Sequence, residues 1–273
     1  MGGAKNELVQ QWLRKASHDL IAARTLTRRE PVVLDTATYH CQQPRGSEVM
    51  VIANKTPTKT IDSEQRFVLR RVGWKGYQSL MEMIDDQPIR LTYDRGDVEL
   101  MSPLPKHERK QSLLGQFVRI LAREFHIPVM PTGSTTWNRE DLDKGLEADE
   151  SLYLGDLGRV GDPDNVDLEF DPPPDLAIEV ELTRSALDRI GIYGALRVPE
   201  LWRFDGRTLR VLLLQPEGSY KESTTSAAFP SVPMDEIAKF ATREGVRDEN
   251  ALLDECLAWV HENLLPSTDK NDR

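Results

Sequence analysis

The stretch Asp175-Leu176-Ala177-Ile178-Glu179-Val180-Glu181-Leu182 alternates without a break between two sets of positions. Side chains alternate faces along a strand, so Leu176, Ile178, Val180 and Leu182 share one face, while Asp175, Ala177, Glu179 and Glu181 share the other. Just beyond it, residues 185–197 carry a helical pattern and residues 201–204 a second short strand. Strand, helix and strand at this spacing form a β-α-β unit, which makes the strands near 178 and 203 parallel neighbours in one sheet. Sheets of that kind are usually covered on both faces. The acidic face is therefore expected against protein and not against bulk water.

Outward from this unit the pattern stays that of an α/β domain. Gly145-Leu146-Glu147-Ala148-Asp149-Glu150 reads as a turn leading into a strand at 151–154, and the Asp-, Gly- and Pro-rich residues 155–174 read as a loop. Residues 106–125 predict a long helix with Leu113, Leu114, Phe117, Ile120 and Leu121 as its apolar stripe. Ahead of it, Ile89–Tyr93 and Val98–Met101 flank Asp94-Arg95-Gly96, a hairpin signal, and residues 74–81 predict a short helix ended near Pro88. Short strands at 129–130, 135–137 and 209–214 and a C-terminal helix at about 248–264 complete the domain. The expected class is α/β, a mixed sheet flanked by helices.

Residues 7–29 form a separate helical pattern, with Val9, Leu13, Ala16, Leu20 and Ala23 on one stripe. A second, shorter one begins near Asp35 and stops at Pro44. The division expected is a helical leader at 1–43, a linker at 44–61, the main domain at 62–264 and a disordered tail at 265–273.

Composition narrows the function classes. With 39% hydrophobic and 29% charged residues the chain is that of a globular protein, and no apolar run approaches the length of a membrane span. No secretory signal is visible, and two cysteines, Cys41 and Cys256, fit a reducing cytoplasm. A net charge of −10 argues against coating nucleic acid by bulk electrostatics, but a cation site itself needs carboxylates.

Glu179 and Glu181, two residues apart on one face, have backbones roughly 7 Å apart. Carboxylates at that spacing can converge on a hard cation, and Mg²⁺ is typically held by one or two of them plus water and phosphate. Asp149, just before the neighbouring strand, is the natural further ligand, and Asp175 shares the acidic face. An amphipathic strand with a wet face would show the same alternation; the β-α-β setting favours the metal site, because acids aligned on a covered face repel unless a cation or base sits among them. Glu147 and Glu150 flank Asp149 and can be turn residues; the parity of Glu150 puts it with Leu152 and Leu154.

The residues at 62–264 resemble the Uma2 family of endonucleases, a branch of the restriction-endonuclease-like PD-(D/E)XK superfamily. The stretches that carry the resemblance are ELMSPLPKH at Glu99–His107, GLEADESLYL at Gly145–Leu154, PDLAIEVEL at Pro174–Leu182 and VPELWRFDG at Val198–Gly206. The resemblance implies a Mg²⁺- or Mn²⁺-dependent endonuclease acting on DNA, with Asp149 and Glu179 as the acids that bind the metal. Glu181 stands where the superfamily pattern has Lys, and Arg189 on the following helix fits the displaced position. Arg cannot accept a proton near neutrality, but it can clamp phosphate. The departure leaves a second reading open, a nuclease fold kept as a nucleic-acid-binding or interaction module. His107, heading the long helix, is expected on a solvated turn. A homodimer is left open. The leader, through Trp12–Leu20 and Tyr39–Gln43, resembles the start of a HEPN domain cut short at Pro44.

Overall fold

The protein is described here by a computed structural model covering residues 52–53, 64–84 and 87–265. The leader and most of the linker, with Cys41 and the HEPN-like stretches, lie outside the described residues. Chain order runs β1 (Ile52–Ala53), β2 (Gln65–Leu69), α1 (Gly73–Ile84), β3 (Arg90–Asp94), β4 (Asp97–Ser102), α2 (Pro105–Glu124), β5 (Val129–Pro131), β6 (Thr136–Arg139), β7 (Lys144–Glu147) and β8 (Glu150–Leu154). After the loop come β9 (Leu176–Val180), α3 (Arg189–Ala195), β10 (Glu200–Phe204), β11 (Leu209–Leu214), β12 (Tyr220–Ser223), α4 (Met234–Thr242) and α5 (Glu249–Asn263).

The strands form two sheets. One, ordered β1-β2-β4-β3-β7-β6, is antiparallel throughout. The other, ordered β12-β11-β10-β9-β8-β5, is mixed: β9 and β10 are parallel, as the β-α-β reading requires, and the remaining pairs are antiparallel. All five residues of β9 are buried. Leu176, Ile178 and Val180 pack with Trp202, Phe204 and Val211 against α2, α4 and α5. Ala177, on the opposite face, packs with Leu201 under Ile192 and Tyr193 of α3 and Leu196 just after it. In the first sheet Tyr77 of α1 stacks on Tyr93 of β3 at 4.7 Å between centroids. No helix among the described residues is long and apolar enough to cross a membrane.

Two expectations are corrected, and three elements were not foreseen. Residues 144–147 are not a turn but a strand paired on both sides, to β3 and β6. Gly145, read as turn punctuation, is there because a Cβ would lie 2.6 Å from the Tyr77 hydroxyl oxygen; a glycine inside a strand often marks such close approach. The helix expected at 185–197 begins only at Arg189. Upstream, the Ser185 hydroxyl and Ala186 N–H donate to Glu99 of β4, and Asp188 caps the helix by accepting from Gly191 N–H at 3.0 Å. Finally, β2, β12 and α4 lie in stretches that gave no periodic signal.

Between β7 and β8 the chain steps from the first sheet to the second within two residues, Ala148 and Asp149. α3 is set against the β11–β12 turn by Gly194, where a Cβ would come within 2.2 Å of the Gly218 carbonyl oxygen. Gly194→Ala is therefore expected to cost about 1–3 kcal/mol, because backbone on both sides must shift to admit the methyl group. Thermal melts check this; an unchanged Tm would show that α3 does not depend on that contact.

Candidate active site

The two sheets meet over charged groups. Glu179 projects from β9 on the face that α3 covers and is 8% exposed. Arg189, the first residue of α3, donates from Nε to Glu179 Oε2 at 2.7 Å and from Nη2 to Oε1 at 2.5 Å. The same Nη2 reaches the Glu147 carbonyl of β7 at 2.8 Å, and Nη1 donates to the Thr92 hydroxyl of β3. One guanidinium thus ties the mixed sheet to two strands of the other. Tyr193, four residues on and so on the same side of the helix, donates its hydroxyl to Glu179 Oε1. Burial drives the Glu179 carboxyl above the ordinary range; the Arg189 charge opposes this and Asp149 adds to it.

Asp149 sits at the crossing between the sheets. Its Oδ2 accepts the Val180 N–H at 2.6 Å, which places it next to Glu179 along β9. Arg90 of β3 donates to Oδ1. His107, in the first turn of α2, lies with Nε2 3.1 Å from Asp149 Oδ2 and Nδ1 2.5 Å from Glu64 Oε1. Carboxylates facing the two ring nitrogens favour a proton on each, although Arg90 Nη1 also lies 3.3 Å from Nε2. Burial works against the charged ring, but the hydrogen bonds to Asp149 and Glu64 outweigh it and hold His107 at about 9. Burial likewise raises Asp149 and Glu64, and the His107 bonds bring each net below the usual carboxylate range. The expected solvated helix-start histidine is thus fully buried, held between Asp149 and Glu64.

Around these groups lies a cavity of about 360 Å³, lined among others by His107, Asp149, Glu179, Glu181, Arg189 and Arg203. Glu181 follows the last residue of β9 and accepts from Arg203 Nε at 2.6 Å. Asp175 is not part of the group. It precedes the other end of β9, accepts from Leu154 N–H at 2.7 Å and pairs with Arg159, roughly 13 Å along the strand from Glu179. Glu150 faces the apolar side with Ile178, beneath Gly115 of α2, as its parity requires. Burial lifts Glu147 to about 7, with the Arg90 charge pulling the other way.

Sequence reasoning singled out Asp149, Glu179, Glu181 and Arg189 but missed Arg90, Glu64 and Tyr193. The spacing of Arg189 and Tyr193 was the one signal available; Arg90 and Glu64 become partners of the site only through contacts far apart in sequence.

Among the described residues no three His, Cys, Asp or Glu side chains are gathered as a ready metal cage. Ions that need such a cage, Zn²⁺ or Ca²⁺, do not fit. The chemistry of the donor set, two adjacent carboxylates at a cavity wall, fits a hard cation that keeps most of its water, Mg²⁺ or Mn²⁺.

Two sheets flanked by five helices among the described residues, with acids at the crossing between them, define a restriction-endonuclease-like α/β domain. The Uma2 family model, described as "putative restriction endonuclease", matches residues 74–243. That is more than half of the chain, and the protein belongs to this family; nucleic-acid hydrolysis is the class of activity to which membership points. No curated relative matches the chain.

The folded pKa of His107 lies above its unfolded value, so its contribution to stability is complete below pH 6.5 and is lost as the pH rises through about 9. In metal-free buffer, stability should fall by on the order of 3 kcal/mol across that window. Denaturant titrations at stepped pH on wild type and His107→Gln check this, the variant losing the slope; equal slopes would refute the imidazolium.

Proposed function

We propose that this protein hydrolyses DNA phosphodiester bonds at the cavity between its two sheets, with Mg²⁺ or Mn²⁺ held by Asp149 and Glu179. The observation that carries this is the Asp149–Val180 bond, which fixes the acid at the sheet crossing beside the acid of β9. When bound there, a divalent cation lowers the pKa of a water and offsets charge on the phosphate. His107, held protonated, keeps Asp149 ionised and oriented, and Arg90 does the same from the other oxygen. Neither His107 nor Arg189 can take the proton from the attacking water; with the cation in place that proton would pass to solvent, and a solvent proton would return to the leaving oxygen. Arg189 already satisfies both Glu179 oxygens, and in the reaction it gives one up to hold a nonbridging phosphate oxygen. Glu181, tied to Arg203, stays beside the site as its acidic wall.

A second reading, a nuclease fold retained for binding alone, has a specific observation in its favour. The carboxylate oxygens of Asp149 and Glu179 are already engaged by Arg90, His107, Val180 N–H, Arg189 and Tyr193. The two readings separate in one set of measurements. On the catalytic reading Mn²⁺ raises the Tm of wild type and not that of Glu179→Gln, since ligands that bind only the folded state stabilise it. Plasmid nicking then persists in Arg189→Lys and drops at least about tenfold in Arg189→Ala, a loss of roughly 1.4 kcal/mol of barrier lowering. No Mn²⁺ shift and no nicking by wild type would leave the binding reading standing; nicking by Arg189→Ala at the wild-type rate would remove the clamp.

A further inference from the structure

Arg184 and Arg203 line the cavity, and the reaction uses neither. In the strand register Glu179 of β9 lies opposite Arg203 of β10, and Arg203 lies opposite Arg210 of β11. Residues paired in this way share a face, so the three form one row across the mixed sheet, with steps of about 4.8 Å between strands. Arg203 is half-buried and bound to Glu181; Arg210 is exposed. Arg184, between β9 and α3, lines the same cavity as Arg203 and is also exposed. Neither Arg184 nor Arg210 forms an ion pair among the described residues, although the chain as a whole carries ten more negative charges than positive.

The row sets two guanidinium groups directly opposite each other on neighbouring strands. Like charges directly opposite on neighbouring strands repel. The acids near the row offset it in part: the Asp205 charge acts on Arg210 and Arg203, and Glu181 pairs with Arg203. Asp205 also accepts the backbone N–H groups of Thr208 and Arg207 in the β10–β11 turn. Glu222 stands opposite Leu212, further along β11 and one strand out. A polyanion laid across the row would relieve the repulsion and meet several guanidinium groups in succession.

We propose that Arg184, Arg203 and Arg210 form a track for the DNA phosphate backbone, running from solvent across β11 and β10 to Glu179. The track rests on the nuclease reading above and adds where the substrate strand lies. Its residues hold the backbone and do not touch the reacting phosphate.

The test uses the full chain, a short fluorescein-labelled DNA duplex and EDTA to prevent cleavage, with anisotropy read across a salt series. The double variant Arg184→Ala/Arg210→Ala is expected to bind about tenfold more weakly or worse. Its log–log salt slope should be shallower by about 2, since each phosphate contact contributes roughly 0.9. Arg210→Lys should keep most of the slope, because Lys also binds phosphate as a point charge. Arg247→Ala, an exposed arginine beyond α4, is the control and should match wild type. Where cleavage is measurable, the double variant should raise KM and leave kcat in place. If wild type binds the duplex and the double variant binds as well as Arg247→Ala, the track is wrong while the nuclease reading stands. If wild type binds no duplex at any salt concentration, the track is wrong, while metal-dependent plasmid nicking still decides the nuclease reading.

Discussion

The molecule is organised by the cost of burying charge between two sheets. A carboxylate or guanidinium taken out of water loses several kcal/mol of hydration, which is recovered only if partners meet it at close range. Arg189 and Glu179 satisfy that condition with two hydrogen bonds, and Arg189 spends its remaining donors on β3 and β7. The tie therefore fixes the position of one sheet relative to the other. Asp149 does the same from the opposite direction: it lies on the crossing chain and is held by the Val180 N–H on one side and Arg90 on the other. The candidate chemistry and the joint of the fold are the same set of atoms. Removing one partner of such a pair typically costs 3–5 kcal/mol, so substitutions here act on stability as well as on activity.

The joint is also nearly self-neutralised. Glu64 and Glu99 face Arg66, Asp149 faces Arg90 and His107, Glu179 faces Arg189, and Glu181 faces Arg203. A cation entering this cavity competes with side chains already in place, unlike one entering a bare acidic cleft. The excess negative charge of the chain lies elsewhere, in exposed segments such as the Asp-rich loop before β9. That separation leaves the cavity close to neutral within an acidic protein.

The parts of this structure that were legible in the sequence are those governed by local period. The alternation at 175–182 gave the buried strand, its two faces and, with the helix and strand after it, the parallel pairing of β9 and β10. The long helix α2 and the hairpin β3–β4 followed from apolar spacing and from Asp94-Arg95-Gly96. What was not legible depends on contacts between distant segments. Gly145 looks like a turn because glycine usually punctuates, whereas here it makes room for a tyrosine from α1. His107 looks like a solvated helix start because nothing nearby in sequence announces Glu64 and Asp149 on either side of it. Asp175 belongs to the acidic alternation, yet it lies beyond the first residue of the strand, where Arg159 and the Leu154 N–H take it up.

The brevity of α3 sets limits on how this sequence can vary. The helix has only seven residues, capped by Asp188 at its start and pressed against the Gly218 turn near its end. Within it, Arg189 and Tyr193 must both face Glu179. Adding or deleting one residue turns everything downstream by about 100° around the helix axis, so the two side chains could no longer reach the same carboxylate. Insertions and deletions should be excluded from residues 188–195 even where substitutions are accepted. The loop at 155–174, entering the same strand from its other end, keeps no helical phase, but Val160 and Leu168 are buried in the core and Arg159 pairs with Asp175, so its anchor points are held as well.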